Sequence, residues 1–372
     1  MPRAAPFVKV IRHILDQLGR QGGRAESVAS VGWTCTYIPI EIVEAAGLTP
    51  ARILPEPSSE KADAYLDPNF CPYVRACLGK AMDGEYKGLS GIIVANTCDG
   101  MRRLYDAWCH YMPPGFAFIL DVPRTRSPNA IAYFRGRLQA FVRALEEYFK
   151  AEITEDSLRQ ATEEINRTRR LYQRLIMNHI QGVPGLRYSA LLALFSKEWE
   201  GPRRLFNDAL EEIVRITGQC TQKELFSPRV LVTGSILDGT SIIELIEELG
   251  GTIVGVDCCL AERMVQEVPL DGDILNALSE SYLGKIPCAR MKDTATRAKF
   301  LLRQVEKTRA QGLIYGALKF CDPYLYEFPA LKEKLQKRDV PILFLEGEYR
   351  GRLGGGIRTR VQAFLEMLAN FG

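Results

Sequence analysis

A chain of 372 residues, 47% apolar and 25% charged, is longer than most single cores and ordinary for a soluble globular protein of two or three domains. No apolar run reaches the roughly 18 residues of a membrane span, which excludes a membrane-embedded role. The net charge of +3 comes from 48 basic and 45 acidic residues mixed along the chain, which excludes the basic face that follows a nucleic-acid backbone.

The N-terminal stretch "MPRAAPFVKVIRHILDQ" reads as a basic amphipathic helix without the apolar core and cleavage site of a signal peptide, so a cytoplasmic location is expected. Next, strand-like "ARILP", "GIIVAN" and "GFAFILDVP" alternate with "PIEIVEAAGL", "CPYVRACLGKAMDGEY" and "MRRLYDAWCHYM", whose apolar residues recur three and four apart. Such alternation predicts a parallel sheet. Strand signals then vanish, and "AIAYFRGRLQAFVRALEEYFKAEITEDSLRQATEEINRTRRLYQRLI" predicts two long charged helices, the second capped by Thr154. After Pro228 the alternation resumes with "RVLVTGS", "GTIVGVD", "GLIYGAL" and "PILFLE" as strands. The fold class expected is α/β: two open parallel-sheet lobes, at 1–128 and 228–372, around a helical domain at 129–227.

Ten cysteines and only three histidines bear on chemistry. In a reducing compartment a disulfide framework is not expected, and zinc spacings are absent. Thiolate-only iron–sulfur ligation remains. "GIIVANTCDG" and "GLIYGALKFCDP" each end an apolar strand in Cys-Asp before a helical stretch, placing Cys98 and Cys321 at the carboxyl ends of strands, where open sheets gather ligands. Cys71, in "DPNFCPYVRACLGK", stands in a loop entering a helix whose N-terminal amides favour a thiolate.

The blocks "GWTCTYIPIEIVEAAGLTPARIL", "NFCPYVRACLGKAMDGEYKGLSGIIVANTCDGMRRLYDAW", "ALKFCDPYLYEFPALKEKL" and "GGGIRTRVQAFLEML" resemble, in the same order, those of the 2-hydroxyacyl-CoA dehydratase and benzoyl-CoA reductase family. The resemblance implies a [4Fe-4S] cluster between the lobes, held by Cys71, Cys98 and Cys321. It implies an acyl-CoA substrate, a related partner subunit or a second copy of the chain, and a separate activator ATPase that injects one low-potential electron. A radical 2-hydroxyacyl-CoA dehydratase is the reading favoured. A benzoyl-CoA-type reductase, a homodimeric double-cubane-type reductase and an electron-relay subunit are its alternatives.

A single cubane is expected, with Cys35 beside it and Cys77, Cys258, Cys259 and Cys288 in helical or core packing. Glu41 either orients substrate or starts a helix as a dipole-favoured carboxylate. "VLVTGSILDGTSIIELIEELGGTIVGVD" carries Asp257 where a ribose-binding acid would stand, but Gly234 and Gly239 lack dinucleotide spacing and no P-loop follows. It reads as βαβ geometry, consistent with ATP hydrolysis on another protein. "GRLGGGIRTRVQAF" places Arg358 and Arg360 at a helix start, either a CoA-phosphate site or a loop followed by surface arginines.

Overall fold

The computed structural model describes residues 28–56, 60–197, 202–220, 228–235, 241–349 and 355–370. The N-terminal helix expected from the sequence lies outside them.

The first lobe holds β1 (Ser30–Trp33), α1 (Ile40–Ala45), β2 (Thr49–Arg52), α2 (Pro72–Met82), β3 (Gly91–Asn96), α3 (Asp99–Tyr111) and β4 (Phe116–Asp121). Its strands run parallel in the order β2-β1-β3-β4. Four helices follow: α4 (Pro128–Phe149), α5 (Glu155–Ile180), α6 (Tyr188–Lys197) and α7 (Arg203–Gly218). The second lobe comprises β5 (Arg229–Gly234), α8 (Ser241–Glu248), β6 (Thr252–Asp257), α9 (Ile274–Gly284), α10 (Thr294–Thr308), β7 (Gly312–Leu318), α11 (Asp322–Gln336), β8 (Ile342–Gly347) and α12 (Gly355–Asn370). It repeats the order as β6-β5-β7-β8, again all parallel. The expected two-lobed α/β fold is therefore the observed one.

Both central strands read as unbroken apolar runs because helices cover both sheet faces. β7 is buried at every residue and β3 at all but its last. Strand order reverses between β1 and β3, and between β5 and β7, so each lobe has its crevice at the carboxyl ends of those strands. Gly234 pairs with Gly316 across β5 and β7. A Cβ on Gly234 would collide with the Gly316 carbonyl oxygen, so this glycine serves strand packing.

The helical section shares its cores with both lobes. Phe134, Leu138 and Phe141 of α4 pack with Trp33 and Ile93 of the first sheet, and with Leu278 and Tyr282 of α9. Leu171 and Leu175 of α5, with Phe195 and Phe206, join Val230, Val232 and Ile314 of the second sheet. The helix starts are set locally. Ser127 accepts from the Ala130 amide at 3.2 Å, with Pro128 as the first helical residue, and Thr154 accepts from the Ser157 amide at 3.1 Å, satisfying donors a helix end leaves open. No described helix is long and apolar enough to cross a membrane.

Candidate active site between the lobes

Cys71, Cys98 and Cys321 each occupy the position immediately before a helix, namely α2, α3 and α11. Three helix N-termini therefore converge on one cleft of about 1020 Å³, which all three cysteines line. Aligned N-terminal amides make such a place hospitable to negative charge. Asp99 and Asp322, each the first residue of its helix, are favoured there for the same reason. Cys98 follows β3 and Cys321 follows β7, so the two lobes contribute from matching positions.

The approach to Cys321 is a tight turn. Its amide donates to the Leu318 carbonyl at 3.1 Å, and Phe320 is held at φ 56°, a region that bulky residues seldom enter. The Cys98 turn is held from the other lobe. Arg290 donates to the carbonyls of Thr97 (3.2 Å), Pro123 (3.0 Å) and Val122 (2.6 Å), fastening the tips of β3 and β4 with one buried guanidinium.

The thiols are electrostatically distinct. A hydrogen bond from Cys321 holds Cys71 below an ordinary thiol against the effect of burial, helped by the amides of Tyr73 and Val74 at the start of α2. The same bond lifts Cys321 well above. Burial pushes Cys98 up to about 12, and the neighbouring Cys71, Cys35 and Cys288 add to it. Cys98 and Cys321, held neutral in this way, would have to release their protons to bind a soft metal, whereas Cys71 is closer to the thiolate. Among the described residues no three His, Cys, Asp or Glu side chains form a site for a single metal ion.

Three more cysteines adjoin this set. Cys35 follows β1, Cys259 follows β6, and Cys288 lies in the loop between α9 and α10. Their thiols interact with one another and, through Cys35 and Cys288, with Cys98. Burial raises Cys35, and raises Cys259 to about 12. The Cys288 amide donates to the Tyr37 hydroxyl at 3.3 Å, and its sulfur stands 3.4 Å from the Tyr324 hydroxyl. Arg263 donates to that hydroxyl at 2.6 Å. Cys77 and Cys258 are fully buried core residues, as the sequence suggested. Cys259 and Cys288, assigned to the same role, are half-buried and also pack against the lobe cores. The signal that could have found Cys259 is the one that found Cys98, a cysteine just past the carboxyl end of an apolar strand.

The other sequence-derived residues lie off this cleft. Glu41 is fully buried. It accepts from Arg169 at 2.7 Å and from the Tyr282 hydroxyl at 2.7 Å, tying α1 to α5 and α9. Burial opposes its charge, yet Arg169 and Tyr282 hold the carboxyl below the ordinary range. Beside it the Lys285 ammonium rests 3.5 Å from the Tyr282 ring centroid and donates to the Thr36 carbonyl at 2.8 Å. Burial pulls Lys285 down to about 7. Arg358 pairs with Glu248 at 3.3 Å, and Arg360 donates to the Phe344 carbonyl at 2.7 Å; residues 350–354 before them lie outside the described residues. Asp257 is enclosed by Arg263 (2.7 Å), Arg297 (3.2 Å) and the Thr233 hydroxyl (2.7 Å), so its acceptors are taken up within the lobe.

Paired α/β lobes that close on a cysteine-lined cleft define a class of protein whose chemistry sits between two sheets. Residues 35–368 match the 2-hydroxyglutaryl-CoA dehydratase D-component family, and this chain belongs to it. It is 29% identical over 364 residues to YjiM of Escherichia coli strain K12, named as a provisional dehydratase subunit, covering 93% of each chain. It is 24% identical over 368 residues to the (R)-phenyllactyl-CoA dehydratase beta subunit of Clostridium sporogenes, covering 96% of this chain and 95% of that one. With a benzoyl-CoA reductase subunit of Thauera aromatica it shares 27% identity over 346 residues, covering 87% and 86%.

Proposed function

We propose that this chain is the iron–sulfur subunit of a radical 2-hydroxyacyl-CoA dehydratase, with Cys71, Cys98 and Cys321 holding a [4Fe-4S] cluster. The observation that carries the reading is the convergence of these three thiols, from both lobes and three helix N-termini, on one cleft. A cluster held by these three cysteines would supply a one-electron donor and Lewis-acid assistance to loss of the hydroxyl group. The chain's own residues do the rest. The amides of α2, α3 and α11 lower the cost of negative charge, and Arg290 locks the Cys98 turn to the second lobe. The cleft volume is that of a site for a small organic group, here the acyl end of a CoA thioester.

The beta-subunit names of the relatives support a related partner subunit, with a second copy of the chain as the alternative. The sequence has no P-loop, which supports a separate activator ATPase as the electron source. The reading places the protein in the cytoplasm. Anaerobic purification followed by iron and sulfide analysis tests the cluster: about four iron per chain is expected, and iron-free protein overturns the proposal. ATP hydrolysis by the purified chain alone would overturn the separate activator.

One observation favours a second reading. Cys35, Cys259 and Cys288 form another set of thiols, adjoining the first through Cys98. With both sets occupied the chain would hold a double-cubane type of centre and act as a reductase. About eight iron per chain is then expected, and Cys288→Ser would halve it.

A further inference from the structure

Arg52 is the last residue of β2 and packs its guanidinium 4.1 Å from the Trp33 ring centroid. It is only 8% exposed. None of its three guanidinium nitrogens has a hydrogen-bond partner among the described residues. Arginine stays charged throughout the accessible pH range, and an unpaired buried charge is among the most costly arrangements a fold can hold. Every other fully enclosed arginine nearby is provided for. Arg263 has Asp257, Arg169 has Glu41, and Arg290 has three carbonyls. Arg52 stands opposite Trp33, two residues before Cys35, and Cys259 packs on the core that holds its neighbour Ile53; its charge reaches both thiols.

An aromatic stack holds the guanidinium in place while leaving its edge, with the N–H donors, free. A carboxylate would satisfy that edge, and none is supplied. The groups beside it are soft donors, so the missing acceptor is negatively charged and compatible with thiolate ligation. Sulfur in a metal–sulfur centre meets both conditions. We infer that Arg52 is the built-in counter-charge of a second iron–sulfur centre held by Cys35, Cys259 and Cys288, donating hydrogen bonds to its sulfur. The inference rests on the second reading above and adds the residue that sets the properties of the second centre. Hydrogen bonds to sulfur and nearby charge are levers on cluster potential. A cation at this place stabilises the more negative, reduced state.

The experiment uses the anaerobically reconstituted full chain with Arg52→Met, Arg52→Lys and Cys288→Ser. Iron and sulfide content, the reduced-state electron paramagnetic resonance spectrum, the midpoint potential, and the Tm of the loaded and metal-free forms are read for each. Cys288→Ser should remove about half the iron. Arg52→Met should leave the first centre's signal unchanged and either empty the second or shift its potential to more negative values. Arg52→Lys should fall between Arg52→Met and the parent. Met keeps the packing on Trp33 and removes the unpaired charge, so the metal-free Tm should hold or rise while the loaded Tm falls. Four iron per chain with no effect of Cys288→Ser overturns the second reading and this inference with it. Eight iron with Arg52→Met spectroscopically unchanged overturns the inference alone, as does an equal fall of Tm in both forms.

Discussion

Arg52 and Asp257 occupy the same place in the two lobes. Each ends the second strand of its sheet, on the edge beside the first strand, with Arg52 opposite Trp33 and Asp257 opposite Thr233. Both are buried charges at the carboxyl end of a parallel sheet. Asp257 is closed off by two arginines and a hydroxyl, and Arg297 runs on to Glu327 at 3.3 Å. Arg52 has an indole beneath it and no acceptor among the described residues. One position thus serves as a structural tie in the second lobe and as an open valence in the first. Burial alone does not separate the two roles, and partner accounting does.

The strand tips form a second, more even pair, and the largest expected effect tests their equivalence. Cys98→Ser and Cys321→Ser should each strip or convert the first cluster, since a hydroxyl is a poor substitute for thiolate, and the losses should look alike by iron content. Retention of full iron in either would reduce the two tips to a repeat of the fold. Next in size is Arg263→Met, which leaves Asp257 short of its nearest partner. It should cost about 3–5 kcal/mol in urea unfolding of the metal-free protein, where Arg52→Met costs nothing.

A pH effect follows. Glu262 is pushed up to about 7 by burial and by the nearby Asp257. Its unfolded value is near 4.5, so between these pH values the unfolded chain releases a proton that the folded chain keeps. Stability therefore falls as pH rises across that window, by about 3 kcal/mol. Glu262→Gln should remove this fall, seen as a smaller difference between urea midpoints taken below and above the window. An unchanged difference would mean the carboxyl is solvated. The smallest effect concerns the turn before Cys321. Phe320→Gly relieves a left-handed backbone and should stabilise the metal-free protein by about 1 kcal/mol, with no counterpart at Thr97 before Cys98.

Much of this was legible because long apolar strands and strand-tip cysteines are local signals. β3 and β7 begin and end where the apolar runs do, and Cys98 and Cys321 follow from them. β1 escaped the sequence because "SVGW" has a single aliphatic residue and a glycine; its pairing with β2 and β3 makes it a strand. Cys288 carries no local signal. Its place depends on Tyr37 and Tyr324, which come from other parts of the chain. Arg52 ends a short strand, Thr49–Arg52, just before the apolar Ile53 and Leu54, where an arginine ordinarily reaches to water with its head group. Only the folded arrangement reveals that it does not. The same holds for Glu41, whose partners Arg169 and Tyr282 are far along the chain.

The placing of ligands in both lobes also imposes a timetable. At about 5–20 residues/s, synthesis from Cys98 to Cys321 takes on the order of 10–40 s. During that interval Cys71 and Cys98 have been made while α9 and Arg290, which pack on the first lobe, are still missing. A nascent chain in this state offers two thiols to any oxidant or stray metal. The intact cleft exists only once the second lobe has been made, so a cofactor held as proposed would load late, after the whole chain is available.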